Sequence, residues 1–214
     1  MTTDKVNVYD ACDKAIKAMN RENVEAFGRL KMSKWDQIHI IRTVVAVYRE
    51  SAKKAHKRYY EVAYEAYLLM LMTLDVPPKE AHKMADKAIT MDWVDKVLEE
   101  TDFVTLYRFN TEAERKAYRL AETLEVTEDR AKEIDKALKY WSQQLGQYAI
   151  NFTDYAAMQA FEDAGIERVM WMTQRDERVC GECAALNGLI FELDEIPPKP
   201  HVNCRCFWKA LVEK

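Results

Sequence analysis

The sequence predicts a mainly α-helical protein, with an elongated body of long antiparallel helices and a small C-terminal module that contains β-strands. Its 214 residues include only five glycines and five prolines, and 32% of them are charged, a composition typical of helices. Four of the five cysteines lie within Cys180–Cys206, in a tail with β-favouring segments. We therefore divide the chain into a helical body, residues 1–165, and a Cys/His-rich α+β module, residues 166–214.

The first long helix is predicted over residues 34–74, with Ser33 as its N-cap. Between Ile38 and Leu69, apolar or small residues recur with gaps that alternate between three and four. This spacing keeps one stripe of the helix against a partner helix.

Pro77 and Pro78 end that helix because they cannot continue its hydrogen-bond ladder, and they suit the start of the next one, over about 79–99. A shorter helix is predicted over about 111–124. Thr127 is then the expected cap of another long helix.

A second long stripe of apolar residues runs from Ile134 to Tyr155, again with gaps of three and four. Two such stripes are expected to pack on each other as a hairpin-like pair of helices. Gly146 lies inside the stripe and weakens helix formation there. Gly165 is a natural C-cap at the end of the helical pattern.

After Gly165 the pattern changes to one that favours strands. The segment ERVMWMT is rich in β-favouring residues, and Asn187-Gly188 lies between two apolar runs, which predicts a β-hairpin. The segment CRCFWKALV predicts a final strand.

The tail also carries a set of metal-ligand residue types, in the pattern Cys-x2-Cys, 17 residues, then His-x2-Cys-x-Cys. A Cys-x2-Cys turn brings two thiolates close enough for tetrahedral zinc, and a module this small needs such a staple. We favour Cys180, Cys183 and Cys204 as ligands, with either Cys206 or His201 as the fourth.

Other interpretations of these cysteines stay open. Disulfides, such as 180–206 or 183–204, would staple the tail outside the cytosol, and simple buried thiols are also consistent with the sequence. A redox Cys-x2-Cys site is disfavoured because no thioredoxin-like βαβ pattern surrounds it. The first 20 residues contain no apolar signal core, so synthesis in a reducing cytosol is expected, which favours a metal. Cys12 is expected to fill apolar space.

Charge gives little support for a nucleic-acid or membrane partner. The net charge is −4, and the most apolar stretch, 11 residues long, is too short to cross a bilayer. One basic cluster lies on the first long helix: Lys53, Lys54, Lys57 and Arg58. It is a weak candidate for contact with DNA phosphates, because such a run is usually the solvated face of a helix.

The tail resembles the signature of the phage Mu protein F-like family of minor head proteins, also called phage head morphogenesis proteins. The order T..D.RVC..C..L.G and then P..H.NCRC carries the resemblance, over residues 173–206. The resemblance implies that Asp176 or Asn203 caps a turn and that Arg178 or Arg205 pairs with an acid. It carries no toxin or transferase activity over to this chain.

The resemblance also implies a function: a minor capsid protein of a tailed phage or prophage that associates with the portal and with capsid or scaffold proteins. Such a protein is made in the host cytoplasm, enters the procapsid, and assists assembly, DNA packaging or ejection. Neither a small-molecule substrate nor an enzymatic activity is expected, since four or five soft ligands without a partnered Glu-His pair indicate a closed, structural zinc site. The alternative is a zinc-stapled nucleic-acid-binding protein that contacts packaged DNA through the basic cluster and through Lys199, Arg205 and Lys209.

Overall fold

A computed structural model describes residues 9–32, 37–100, 106–174 and 179–212. Within these residues the chain forms seven α-helices and three short β-strands. The helices are α1 (Asp10–Met32), α2 (Gln37–Thr73), α3 (Pro78–Ala88), α4 (Met91–Glu100), α5 (Leu106–Val126), α6 (Arg130–Asp163) and α7 (Gly181–Leu186). The strands are β1 (Arg168–Met172), β2 (Ile190–Glu192) and β3 (Phe207–Ala210), with a 3-10 turn at Leu193–Glu195. The predicted fold class, mainly helical with a small C-terminal β-containing module, is confirmed.

The first long predicted helix corresponds to α2, which carries the expected apolar stripe. Seven consecutive stripe positions are buried: Val45, Tyr48, Ala52, Ala55, Tyr59, Val62 and Ala66. Ile41, by contrast, is exposed, and the burial of Ile38, the first predicted stripe position, lies outside what the structure describes. The predicted cap at Ser33 lies outside the described residues.

Helix α2 ends in a Schellman motif two residues before Pro77. The N–H groups of Asp75 and Val76 bond back to the carbonyls of Met72 and Leu71, and Asp75 adopts a left-handed φ of 61°. The turn therefore satisfies the last carbonyls of the helix before the prolines start the next one.

The single helix predicted over 79–99 is wrong: two helices, α3 and α4, occupy this stretch. Ile89 has an extended backbone, with φ −102° and ψ 101°, and its side chain is buried. Thr90 then occupies the N-cap position of α4, where threonine is favoured. Two adjacent β-branched residues, one of them apolar, thus separate the helices.

The N-cap of α6 is Asp129 rather than the predicted Thr127. The carboxylate of Asp129 accepts a hydrogen bond from the N–H of Lys132 at 3.1 Å. The Thr127 hydroxyl instead accepts from the N–H of Asp129 at 3.2 Å, forming the turn before the cap. Helix α6 continues through Gly146 without a break.

The end of α6 confirms the predicted C-cap. Gly165 has a left-handed φ of 70°, and the N–H groups of Gly165 and Ile166 bond to the carbonyls of Glu162 and Phe161. This is a Schellman motif, for which glycine is the favoured residue.

The chain divides into two compact units. The helical unit comprises Lys14–Tyr60 and Met91–Tyr148, and the sheet unit comprises Met1–Asp13, Glu61–Thr90 and Ala149–Lys214. The division predicted from sequence, into a helical body of residues 1–165 and a Cys/His-rich module of residues 166–214, remains a prediction.

In the helical unit the two predicted stripes do pack on each other, since the rings of Tyr48 and Trp141 lie 5.3 Å apart and those of Tyr59 and Tyr148 lie 6.1 Å apart. Residue numbers rise together along both helices, so α2 and α6 run in the same direction here. The predicted hairpin-like, antiparallel pairing of these two helices is therefore wrong.

The antiparallel partner of both is α1, for which the sequence analysis made no prediction. Phe27 stacks on Tyr48 with ring centres 5.1 Å apart, whereas Glu22 pairs with Arg58 at 2.8 Å, so numbers fall along α1 as they rise along α2. Helices α1, α2 and α6 thus pack together within the helical unit.

A buried network of neutral polar groups joins these three helices. The Trp141 indole N–H donates to Ser51 Oγ at 2.8 Å, and the Ser51 hydroxyl donates to Asn23 Oδ1 at 2.5 Å. The Asn23 amide in turn donates to Ser142 Oγ at 3.2 Å. Each bond is specific to one alignment of the helices, so the network fixes their register.

The sheet unit contains an antiparallel sheet with strand order β2-β1-β3. On the central strand, Val169 and Trp171 are buried, and Trp171 is paired with Trp208 of β3. Among the described helices of the chain, none is long and apolar enough to cross a membrane.

Candidate metal centre

The strand pairing brings the two halves of the cysteine motif to one edge of the sheet. Met172, the last residue of β1, pairs with Phe207, the first residue of β3. Cys206 immediately precedes β3, and the segment after β1 leads to Cys180 and Cys183. Because β1 and β3 are antiparallel, the end of one and the start of the other meet.

The Cys-x2-Cys pair opens helix α7. Cys180 is the N-cap, and its Sγ accepts a hydrogen bond from the N–H of Cys183 at 3.3 Å. Cys183 is 2% exposed. One helical turn therefore holds both sulfurs on the same side, as metal binding requires.

The hairpin predicted at Asn187-Gly188 is wrong, because this dipeptide joins α7 to β2 rather than two strands. Ala184 to Leu186, interpreted as the first apolar run of a hairpin, belong to α7. The turn is nevertheless fixed to the sheet, since Asn187 Oδ1 accepts from the N–H of Thr173 at 2.9 Å. Gly188 has a left-handed φ of 85°, which explains the glycine.

The second half of the motif arrives through a turn at Asn203, which has a left-handed φ of 60° that asparagine tolerates. Cys204 and Cys206 follow, both buried. The predicted final strand begins only at Phe207, so these cysteines lie just before it. Asp176 and Arg178 lie outside the described residues, whereas Arg205 pairs with the carboxylate of Asp13.

All five predicted donors come together around Cys183. Its Sγ lies 3.3 Å from His201 Nε2 and 3.6 Å from Cys204 Sγ. The donor atoms form two overlapping groups, each within 4.8 Å: Cys180, Cys183 and His201, and Cys183, Cys204 and Cys206. Tetrahedral zinc with Zn–S bonds of about 2.3 Å places sulfurs about 3.8 Å apart, and a sulfur and a nitrogen about 3.5 Å apart. The spacings around Cys183 fit that geometry, so the cluster could hold a metal ion.

Two neighbouring groups prepare these donors for a metal. His201 Nδ1 lies 2.9 Å from the carbonyl oxygen of Val202, and an N–H donated there leaves Nε2 as the ligand atom. The buried indole N–H of Trp171 makes no hydrogen bond within the described residues. Burial raises the pKa of the nearby Cys206 thiol, and this indole opposes that rise.

Burial and a backbone hydrogen bond shift the pKa values of these thiols in opposite directions. Burial raises the pKa values of Cys183 and Cys206. The hydrogen bond from the Cys183 N–H lowers the pKa of Cys180. Since zinc binds thiolates, ion binding must release protons from the buried thiols.

A polar cluster beside these cysteines, partly buried, was not predicted from the sequence. It consists of Tyr9, Asp13, Asp154, Lys199 and Arg205, which lie far apart in the sequence but together in the sheet unit. Lys199 Nζ lies 2.6 Å from Asp154 Oδ2, with both side chains largely buried. Lys199 gave no signal of this cluster, because it was interpreted from the sequence as part of a basic tail.

The basic residues considered for DNA contact largely have acidic partners within the chain. Lys54 pairs with Glu50, and Arg58 pairs with Glu22. Lys199 and Arg205 pair with Asp154 and Asp13. These contacts leave less positive charge for phosphates than the sequence implied, and nucleic-acid binding stays a prediction.

The fold and the cluster define a class: a mainly helical protein whose small C-terminal sheet carries five soft metal donors at one edge. Residues 87–209 match the family described as Phage Mu protein F like protein, which is more than half of the 214-residue chain. The chain belongs to this family, which places it among phage head morphogenesis proteins. A search of curated proteins and a search of solved structures found no match.

Proposed function

We propose that the protein is a minor head component of a tailed phage or prophage that associates with the portal in the procapsid and assists assembly, DNA packaging or ejection. The family match carries this proposal, because it covers the C-terminal sheet together with helices α4 to α6. The partners in this role are the portal and the capsid or scaffold proteins. The protein acts in the host cytoplasm during assembly and then inside the virion.

A pull-down tests the portal association. The tagged protein is co-expressed with the portal protein of the same phage, and with the portal of an unrelated phage as the control. Co-purification with its own portal alone is the expected result. Recovery of neither portal, or of both equally, contradicts the proposed partner.

We also propose that one zinc ion closes the C-terminal sheet. The residues available to hold it are Cys180, Cys183, Cys204 and either His201 or Cys206, and the spacings around Cys183 support this. When bound, the ion supplies a cross-link between the segment after β1 and the segment before β3. The chain itself supplies the thiolates, orients the imidazole and shields three of the sulfurs from water.

The proposed centre is structural, and the proposed protein is not an enzyme. A catalytic zinc has three protein ligands and an open fourth position, whereas five protein donors, Cys183 among them, cluster here. With more donors than tetrahedral zinc accepts, a fourth protein ligand can fill the position that a reacting water would need. Turnover of any substrate that depends on the ion would contradict this proposal.

Elemental analysis tests the ion directly. Protein purified without added metal is expected to contain about one zinc per chain. Intact mass measured under denaturing, non-reducing conditions distinguishes the alternative, because each disulfide removes about 2 Da. Absence of zinc together with such a mass loss would show that disulfides close the sheet instead.

A further inference from the structure

A buried cluster of polar side chains connects the start of α1 to the backbone of residues 204–206, which we call the cysteine segment. Tyr9, one residue before α1, is 1% exposed. Its hydroxyl lies 2.7 Å from Asp154 Oδ1 on α6 and also accepts a hydrogen bond from Lys199. All of these residues belong to the sheet unit.

The cluster contacts the backbone on both sides of Arg205. The Tyr9 hydroxyl lies 2.8 Å from the carbonyl oxygen of Cys206, so its single proton has two acceptors. Lys199 Nζ lies 3.4 Å from the carbonyl oxygen of Cys204. Between them, the Arg205 guanidinium pairs with Asp13 on α1. The backbone that carries two of the candidate ligands is therefore held by Tyr9 and Lys199, and the side chain between them by Asp13.

The charges in the cluster balance only while the cysteine segment stays in place. Asp154 is largely buried and its partner is Lys199. The Lys199 ammonium also lies over the rings of Tyr9 and Trp208, at 5.0 and 5.2 Å. A buried carboxylate that loses its cation is strongly disfavoured. Displacement of the cysteine segment would therefore disturb Asp154 and the start of α1 as well.

We propose that Tyr9, Asp154 and Lys199 are positioning residues for the metal centre, and that ion binding is coupled to the docking of the start of α1. This inference rests on the proposed zinc site. The coupling is reciprocal. The free energy by which bound zinc stabilises the Tyr9 contacts equals the free energy by which those contacts strengthen zinc binding. Groups of this kind, which hold the ligands rather than the ion, typically change metal affinity by 10- to 100-fold when removed.

The Tyr9→Phe variant tests the first half of the proposal, because it removes one hydroxyl and keeps the ring. Competition with a chromophoric chelator is expected to show zinc affinity about tenfold weaker than in the unmodified protein. Tyr67→Phe is the matched control: Tyr67 is also buried in the sheet unit, and its hydroxyl donates to Asp163 at 2.5 Å. Tyr67→Phe is expected to leave zinc affinity unchanged.

Alkylation of Cys12 tests the second half in the unmodified protein. Cys12 is 0% exposed, lies in the first turn of α1 and is not among the metal donors. Mass-mapped alkylation is expected to spare Cys12 in the zinc-loaded protein and to label it after chelation. Hydrogen exchange of α6 residues 134–148, in the helical unit, should stay unchanged and so exclude global unfolding.

The outcomes separate the coupling from the site on which it rests. If the unmodified protein binds no zinc, both proposals are overturned. If it binds zinc, but Tyr9→Phe matches Tyr67→Phe in affinity and Cys12 stays protected after chelation, the coupling alone is overturned. Weaker binding by Tyr9→Phe together with release of Cys12 supports it.

Discussion

The two buried polar networks of this protein differ in the kind of group they use. In the helical unit, Ser51 and its partners are all neutral, and each hydrogen bond joins two side chains on packed helices. In the sheet unit, the network around Lys199 is charged and ends on the backbone of the cysteine segment. The neutral network needs only helix packing to persist, whereas the charged one depends on a segment with almost no regular structure of its own.

This difference indicates that the sheet, rather than the helical unit, is the region that would gain most from a cross-link. Long apolar stripes stabilise the helical unit, while the sheet has strands of five, three and four residues. Such a small sheet buries little apolar surface of its own, so we expect the proposed ion and the charged cluster to add to its stability. We therefore expect the two regions to respond to different perturbations.

The largest effect is expected from Cys183→Ser, because Cys183 belongs to both groups of donors. The variant should lose stoichiometric zinc, and its C-terminal segment should become sensitive to protease while the helical unit stays resistant. Cys12→Ser is the control, since it removes a buried thiol of α1 that is not a donor. Equal zinc loss, or equal protease sensitivity, in the two variants would show that the tail thiols do not act together.

Ser51→Ala is the corresponding change in the helical unit. It leaves the Trp141 indole N–H and Asn23 Oδ1 without the Ser51 hydroxyl, so the free energy of unfolding should fall by about 1–3 kcal/mol. Chemical denaturation measures this fall, and zinc affinity should not change. A change in zinc affinity as large as that of Tyr9→Phe would break the distinction between the two networks.

A smaller effect distinguishes the fourth ligand. His201 Nε2 lies 3.3 Å from Cys183 Sγ, and its other ring nitrogen is held by a backbone carbonyl. We therefore expect His201→Ala to weaken zinc binding more than Cys206→Ser, by about tenfold or more in the chelator assay. Zinc absorption spectroscopy should then report three sulfurs and one nitrogen, and a four-sulfur site would reverse the assignment.

The regular helices could be predicted from sequence because their signal is periodic and local. The stripe of α2 and the glycine cap of α6 are of this kind. Helix α1 was missed although its buried positions, from Cys12 to Leu30, also recur every three or four residues. One of those positions is Asn23, whose polarity hides the stripe until its hydrogen bond to Ser51 is known.

Other features depended on contacts that no local pattern contains. The spacing of the cysteines was enough to predict that five donors meet, because metal-ligand motifs encode their own proximity. The direction of α2 relative to α6 could not be predicted from the sequence, because apolar stripes pack in either direction. Likewise, nothing near Tyr9 or Asp154 in the sequence indicates that they meet beside Cys206, almost 200 residues from one of them.

The smallest effect is expected on the basic cluster of α2. Lys54 and Arg58 already have carboxylate partners, so Lys53→Gln with Lys57→Gln removes the exposed charge that the cluster would offer to DNA. Electrophoretic mobility measured at two salt concentrations should show no change in DNA affinity or in its salt dependence, and the free energy of unfolding should change by no more than about 0.5 kcal/mol. Glu61→Gln, on the same helix, is a control for the loss of a surface charge of opposite sign. If the double lysine variant instead lost salt-dependent DNA binding, the helical unit would have a partner of its own, and the contrast between a helical unit without a binding role and a sheet unit that binds the proposed ion would no longer hold.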